Sequence, residues 1–233
     1  MYEMDLKVRF SDCDSEKNLT YNGIVNCFQD CTNRNSETLG VGLDYLNGKN
    51  KAWIMLFWQI VINRRPVFNE EVKVATWATG FQGFMGERNF TLKDEDGNML
   101  VCANSYWLYM DTKSGRPSKI PPEEAEKYSI GPKLDIPDIG MKLRMPEDAE
   151  QIDTIQIRKH YIDVYQHMNN GRYIELASDY LPDGIDVKQI CCQYKKQIKK
   201  DEIVTIYRKI EEQQITIVMK EEDTVHAIVE FSL

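Results

Sequence analysis

An aspartate and a histidine stand four residues apart, at Asp163 and His167, just ahead of an Asn170-Gly171 pair that opens a helical pattern. A carboxylate in such a turn can act as a general base toward water, or attack a carbonyl carbon itself. An imidazole four residues away could orient that carboxylate, shuttle a proton or hold an oxygen. A helix beginning near Asn170 offers unpaired backbone N–H groups and a positive dipole end to a developing oxyanion. Asn169 and Asn170 could cap the helix, contact a substrate, or both. By itself, however, an aspartate before a helix is usually a cap and a lone histidine usually structural. The setting has to decide.

Other candidates carry less. Cysteines stand at 13, 27, 31, 102, 191 and 192, without the C-x-x-C pairs of a structural zinc site. They read as reduced, mostly buried thiols. Cys191 and Cys192 alternate faces of a strand, so at most one could point at a site, and core packing is the better reading. Asp12-Cys13-Asp14-Ser15-Glu16 superficially suggests a calcium loop. Lys17 stands where that loop needs Gly, and Gly23 where it needs the bidentate Glu. No metal site and no cofactor are expected. The aromatic and apolar residues around Trp53, Met55, Phe57, Trp58 and Trp107 are candidate pocket walls, although plain core is the commoner role.

Composition narrows the class. The 233 residues are 42% hydrophobic and 28% charged, enough for one large domain or two small ones. A net charge of −8 argues against nucleic acid as the main partner. No stretch approaches the roughly 20 apolar residues that span a bilayer, and the first residues lack an apolar signal core, so no membrane is expected and a cytoplasmic location is. Basic clusters still occur at Arg64-Arg65, Lys113 to Lys119, and Lys195-Lys196 with Lys199-Lys200.

The elements that must position Asp163 come in two similar sets. In the first, Met4–Phe10 alternates as a half-buried strand, a polar turn follows, and a helix opens near Tyr21 with Asn22 as its expected cap. Four long strands come next, at Ala52–Arg65, Glu71–Gly80, Arg88–Lys93 and Met99–Met110. Residues 121–150 hold five of the eight prolines and read as a linker. Then the plan repeats: a strand at Asp153–Tyr161, a turn, a helix from Asn170 to about Tyr180, and four strands at Ile190–Gln197, Glu202–Glu211, Gln214–Lys220 and Thr224–Phe231. Asp14 lies eight residues before Asn22, and Asp163 seven before Asn170. That order indicates an internal duplication. A central helix wrapped by an antiparallel sheet is the hotdog arrangement, so the expected fold is an α+β double hotdog. Its units are 1–120 and 151–233, with the 121–150 linker between them.

Several stretches resemble the fatty acyl-ACP thioesterase family of plants and bacteria. Ala52-Trp53-Ile54 with Gln59-Ile60-Val61-Ile62-Asn63-Arg64-Arg65-Pro66, then Glu71 to Trp77, are similar to its first long strands. Arg116-Pro117-Ser118-Lys119-Ile120-Pro121 resembles its R-x-S-K-I-P segment, and Asp163 to Asn170 its D-x-N-x-H-V-N-N signature. The resemblance implies hydrolysis of acyl-acyl carrier protein, releasing free fatty acid in fatty acid biosynthesis. It carries Asp163 and His167 into the catalytic set, and implies an acyl-chain pocket in unit 1–120 with catalysis in unit 151–233. Tyr165 stands where the family usually has Asn, and Gln197-Ile198 where it usually has Glu followed by Cys. These positions complete the candidate catalytic set, with Asn169, Asn170, Trp53 and Trp58 as candidate substrate contacts. The implied partner is an acylated acyl carrier protein, and pairing of the chain into a homodimer is left open. The alternatives are an acyl-CoA thioesterase and a hotdog protein that binds acyl groups or their carriers without turnover.

Overall fold

The computed structural model describes residues 1–233. Chain contacts divide it into two units, Met1–Leu56 with Ile62–Ile139, and Phe57–Val61 with Gly140–Leu233.

The first unit begins with β1 (Tyr2–Lys7), a 3-10 turn at Phe10–Asp12 and helix α1 (Tyr21–Thr38). A short helix α2 (Leu43–Gly48) leads into β2 (Lys51–Ile62), of which Phe57–Val61 belong to the second unit. Then come β3 (Glu71–Gln82), β4 (Met85–Asp94), β5 (Met99–Asp111), a two-residue β6 (Arg116–Pro117) and one helical turn, α3 (Pro122–Ala125). The antiparallel order is β1-β3-β4-β5, with β2 beside β5 and β6 also paired to β5. Alternation on β3 is why that strand is legible: Val72, Val74, Thr76 and Ala78 point one way and are buried.

Helix α1 buries Ile24, Phe28, Cys31 and Asn35, an i, i+4, i+7, i+11 stripe. The Phe28 ring lies 5.0 Å from that of Phe90 on β4. A second fastening is polar. Arg88, 6% exposed on β4, donates to Asn35 Oδ1 on α1 at 3.0 and 3.2 Å, and to Thr76 Oγ1 at 2.9 Å. Burial holds this guanidinium down at about 10, below the usual arginine range.

Four expectations change here. The cap of α1 is Thr20, whose Oγ1 accepts the Gly23 N–H at 3.0 Å, while Asn22 already lies inside the helix and is buried. The first unit also carries helices beyond the one expected. The α2 turn forms because the Glu37 carboxylate accepts the Leu43 N–H at 2.9 Å, a tertiary cap that periodicity does not reveal. Strand β2 stops at Ile62, short of Arg65, and β7 stops at Gln156, where a 3-10 turn (Lys159–Tyr161) takes over.

The second unit holds β7 (Glu150–Gln156), α4 (Asn170–Ser178), β8 (Gln189–Tyr194), β9 (Ile203–Ile210), β10 (Gln214–Glu221) and β11 (Thr224–Ser232). Its antiparallel order is β8-β11-β10-β9-β7, with Phe57–Val61 of β2 paired along Gln189–Gln193 of β8. Helix α4 buries Tyr173, Ile174, Leu176 and Ala177. Ile215, Ile217, Val218 and Met219 on β10 are fully buried. Each unit is a helix held against an antiparallel sheet, so the fold is a double hotdog. No helix is long and apolar enough to cross a membrane.

Loss of the Thr20 cap has a defined cost. A Thr20→Ala variant should lose about 1 kcal/mol, read as a lower urea midpoint at unchanged slope. An unchanged midpoint would mean that water caps α1 equally well.

Candidate active site

Asp163 sits in a tight turn between the 3-10 segment and α4. Its N–H donates to His167 O at 2.9 Å, and the Gln166 N–H donates back to Asp163 O at 3.1 Å. Gln166 takes φ 64° to close the turn. The carboxylate accepts the Tyr165 N–H at 2.8 Å and is hydrogen-bonded by the Asn169 side chain. Asn169 has two jobs, because its Oδ1 also accepts the Gly171 N–H at 2.9 Å and so caps α4. Burial pushes the Asp163 carboxyl above the ordinary carboxylate range, opposed by the Tyr165 N–H, by the nearby His167 and by the Asn169 bond. The His167 Nδ1 is buried and has no hydrogen-bond partner. At the helix start, Gly171 N–H is taken by the cap and Arg172 N–H by the Asn169 carbonyl, which leaves the Asn170 N–H. Tyr194 donates to Asn170 O at 2.8 Å and pins this turn.

The first unit contains the same turn, bond for bond. Asp14 N–H donates to Asn18 O and Lys17 N–H to Asp14 O, with Lys17 at φ 68°. The bridges Cys13–Leu19 and Ile162–Met168 correspond, as do the bonds from Leu19 N to Pro66 O and from Met168 N to Ile198 O. Asn18 therefore stands where His167 does, and Arg65 where Gln197 does. The chemistry diverges at these places. Arg65 Nη1 lies 2.6 Å from Asp14 Oδ2, so that carboxylate is neutralised. Asp12 is held likewise by Arg9 at 2.7 Å, so both aspartates of the calcium-like loop are paired. Asp163 has neutral donors in place of a guanidinium.

Two family models divide the chain between them: the acyl-ACP thioesterase N-terminal domain over residues 1–128 and the C-terminal domain over residues 145–230. The chain belongs to the acyl-ACP thioesterase family. It is 24% identical over 223 residues to the chloroplastic palmitoyl-acyl carrier protein thioesterase of Arabidopsis thaliana, covering 88% of this chain and 54% of that protein. The chain thus spans about half the length of the curated relatives it matches. Among solved structures, an acyl-ACP thioesterase from Bacteroides thetaiotaomicron superposes with a TM-score of 0.90 at 19% identity, over 99% of this chain and 96% of that one. The 12:0-ACP thioesterase from Umbellularia californica gives 0.87 at 17% identity, over 99% and 96%. These two likenesses speak for the fold.

Within the acyl-ACP thioesterase frame, the candidate residues are placed unevenly. Asp163, His167, Asn169 and Asn170 share one turn. Tyr165 is in the same turn and 52% exposed, and serves Asp163 through its backbone N–H. Gln197 is exposed on the loop after β8, next to Ile198, whose carbonyl receives the Met168 N–H. Trp53 and Trp58 stand five residues apart on β2, so strand alternation turns them to opposite faces. Trp53 is half-buried, 4.9 Å ring to ring from Tyr109, whereas Trp58 is fully buried and paired in register with Cys192 in the second unit. They cannot line one wall.

Sequence reasoning missed Tyr173. Its hydroxyl accepts the Ile198 N–H at 2.9 Å, fixing the Gln197 loop to α4. Only the unsatisfied backbone N–H of a buried loop residue signals it. The cysteines are unbridged, and burial pushes Cys192 up to about 12 and Cys191 upward too, so neither offers a thiolate nucleophile.

Asp163 also sets a stability signature. A carboxyl raised in the folded state costs stability as pH climbs from its unfolded pKa through its folded one. Asp163→Asn should therefore gain on the wild type in denaturation midpoint between about pH 3.5 and pH 7, bracketing the unfolded value near 3.9. A difference that does not change with pH would assign the effect to packing.

Proposed function

We propose that this chain hydrolyses the thioester of acyl-acyl carrier protein and releases a free fatty acid. One observation carries the reading. Of two twin turns, the first is closed by an arginine, and the second presents a half-buried carboxylate beside a buried imidazole nitrogen and a helix N-terminus. Asp163, ionised, takes a proton from water as it attacks the thioester carbon, or attacks that carbon directly. Raising its pKa strengthens it as a base, and the neutral donors around it favour the ionised form. The first-turn N–H of α4 and the His167 ring would receive the developing oxyanion. Collapse of the tetrahedral intermediate expels the carrier's thiolate, which takes up a proton. On the direct-attack route, water then hydrolyses the resulting anhydride.

The carrier is read from local charge. Lys195, Lys196, Lys199 and Lys200 are all exposed on the loop that holds Gln197, and Arg158, Lys159, His160 and Lys200 line an open groove with Asp201. An acidic carrier suits that rim despite the chain's net charge of −8, because screening beyond about 8 Å makes near charges count most.

The test is thiol release from a panel of acyl carrier proteins and acyl-CoA thioesters of matched chain length. Wild type should turn over the carrier-protein substrates faster, and Asp163→Ala should lower kcat by roughly 10²–10⁴-fold. Lys195→Glu with Lys196→Glu should raise KM on the carrier protein with kcat retained. Full activity in Asp163→Ala would remove Asp163 from the reaction. A preference for acyl-CoA would change the carrier, and tight binding without release would make the protein a binder.

A further inference from the structure

Away from the Asp163 turn, three residues from separate segments converge in the second unit. Glu202 precedes β9, Glu221 ends β10 and His226 lies on β11, and one ligand atom from each falls within 4.8 Å of the others. His226 is 0% exposed. Its Nδ1 lies 3.2 Å from the Lys196 carbonyl, and an acceptor there requires Nδ1 to carry the hydrogen. The Nε2 is buried without a hydrogen-bond partner and lies 3.7 Å from Glu221 Oε2. In the neutral ring this nitrogen directs a lone pair at two carboxylates. A cation between them would satisfy all three groups.

The first unit shows what the fold does at the same place. Val8 N donates to Glu70 O there, as Ile157 N does to Glu202 O, and Val67 N donates to Glu70 Oε2, as Lys199 N does to Glu202 Oε2. Asn63 and Arg64 donate to Leu100 O, as Lys195 and Lys196 do to His226 O. The counterpart of His226 is thus Leu100, and that of Lys196 is Arg64. Arg64 grips Glu70 with two bonds, 2.6 and 3.0 Å, and lies 3.9 Å from Asp94 at the end of β4. A guanidinium joins two acids in the first unit. In the second, the shorter Lys196 reaches only Glu221, at 3.8 Å, and its side chain is 53% exposed.

We infer that Glu202, Glu221 and His226 form a binding site for a divalent transition-metal ion of the zinc class. One imidazole and two carboxylates are ligands that zinc accepts, and a hydrogen bond from the second ring nitrogen to a carbonyl is the usual support of a metal-bound histidine. Zinc bonds of about 2.1 Å set tetrahedral ligands about 3.4 Å apart, so the half-exposed glutamates close inward by roughly an ångström. The ion takes the role that Arg64 has in the first unit. It ties the 195–202 loop, and with it Gln197 and the lysine rim, to the β10–β11 hairpin. The ion itself takes no part in the proposed bond cleavage.

Chelator-treated protein, titrated by calorimetry with Zn²⁺, should bind one ion per chain. A Glu202→Gln/Glu221→Gln variant, which keeps all six cysteines, should bind at least about tenfold more weakly. Zn²⁺ should raise the melting temperature of the wild type and leave that of the variant in place. Co²⁺ bound to the wild type should show visible d–d bands without thiolate charge-transfer absorption, a readout that does not depend on any variant folding. Lys196→Ala removes the competing ammonium and should tighten binding. Equal affinity in wild type and double variant, thiolate bands with Co²⁺, or a His226 ring whose NMR signals ignore Zn²⁺ would overturn the site.

Discussion

The structure depends on how a chain leaves a strand and enters a helix with its backbone groups satisfied. In each unit an aspartate solves this by accepting N–H groups of its own turn, while its backbone closes a ring with the residue four positions on. A buried helix start without such partners would be costly, because each orphaned polar group loses its water for nothing in return. The turn aims the first helical turn, and the sheet that receives the helix then follows. A carboxylate placed there for structural reasons is also at the positive end of a helix dipole. Chemistry needs only that its charge be left uncompensated.

Duplication makes that difference visible. The two turns share their bonds, bridges and left-handed residue, yet Asp14 is sealed by Arg65 while Asp163 is not. The same substitution logic recurs at the Glu70–Arg64–Asp94 group and its counterpart around His226. In both places the first unit fills the centre with a guanidinium, which is always charged and needs no ligand. The second unit has Gln197 and Lys196 there instead. One half is closed with arginine, and the other keeps polar groups whose partners are not built in.

Strand β3 and the helix stripe of α1 are readable because burial on one face imposes a period on the residue types. The cap at Thr20 was not, since Thr20 and Asn22 are both good caps and the helix start is set by the turn, where Thr20 N–H donates to Asp12 O. The α2 helix rests on Glu37, six residues before Leu43, a contact outside any periodic pattern. Trp53 and Trp58 share composition and strand, and only their alternation shows that they serve different packings.

By itself the sequence determined the hotdog plan, its repetition and the family, because these rest on local periodicity and on motifs such as Asp163 to Asn170 that survive as contiguous strings. It also placed Asp163, His167, Asn169 and Asn170 in one turn, since they are neighbours in the chain. Only the tertiary structure decided which charges are compensated. Arg65 meets Asp14 across 51 residues, Tyr173 meets Ile198 across 25, and Glu202, Glu221 and His226 come from three segments. Electrostatic partnership depends on distance in space, and a chain that folds back through antiparallel strands sets that distance without regard to spacing in sequence.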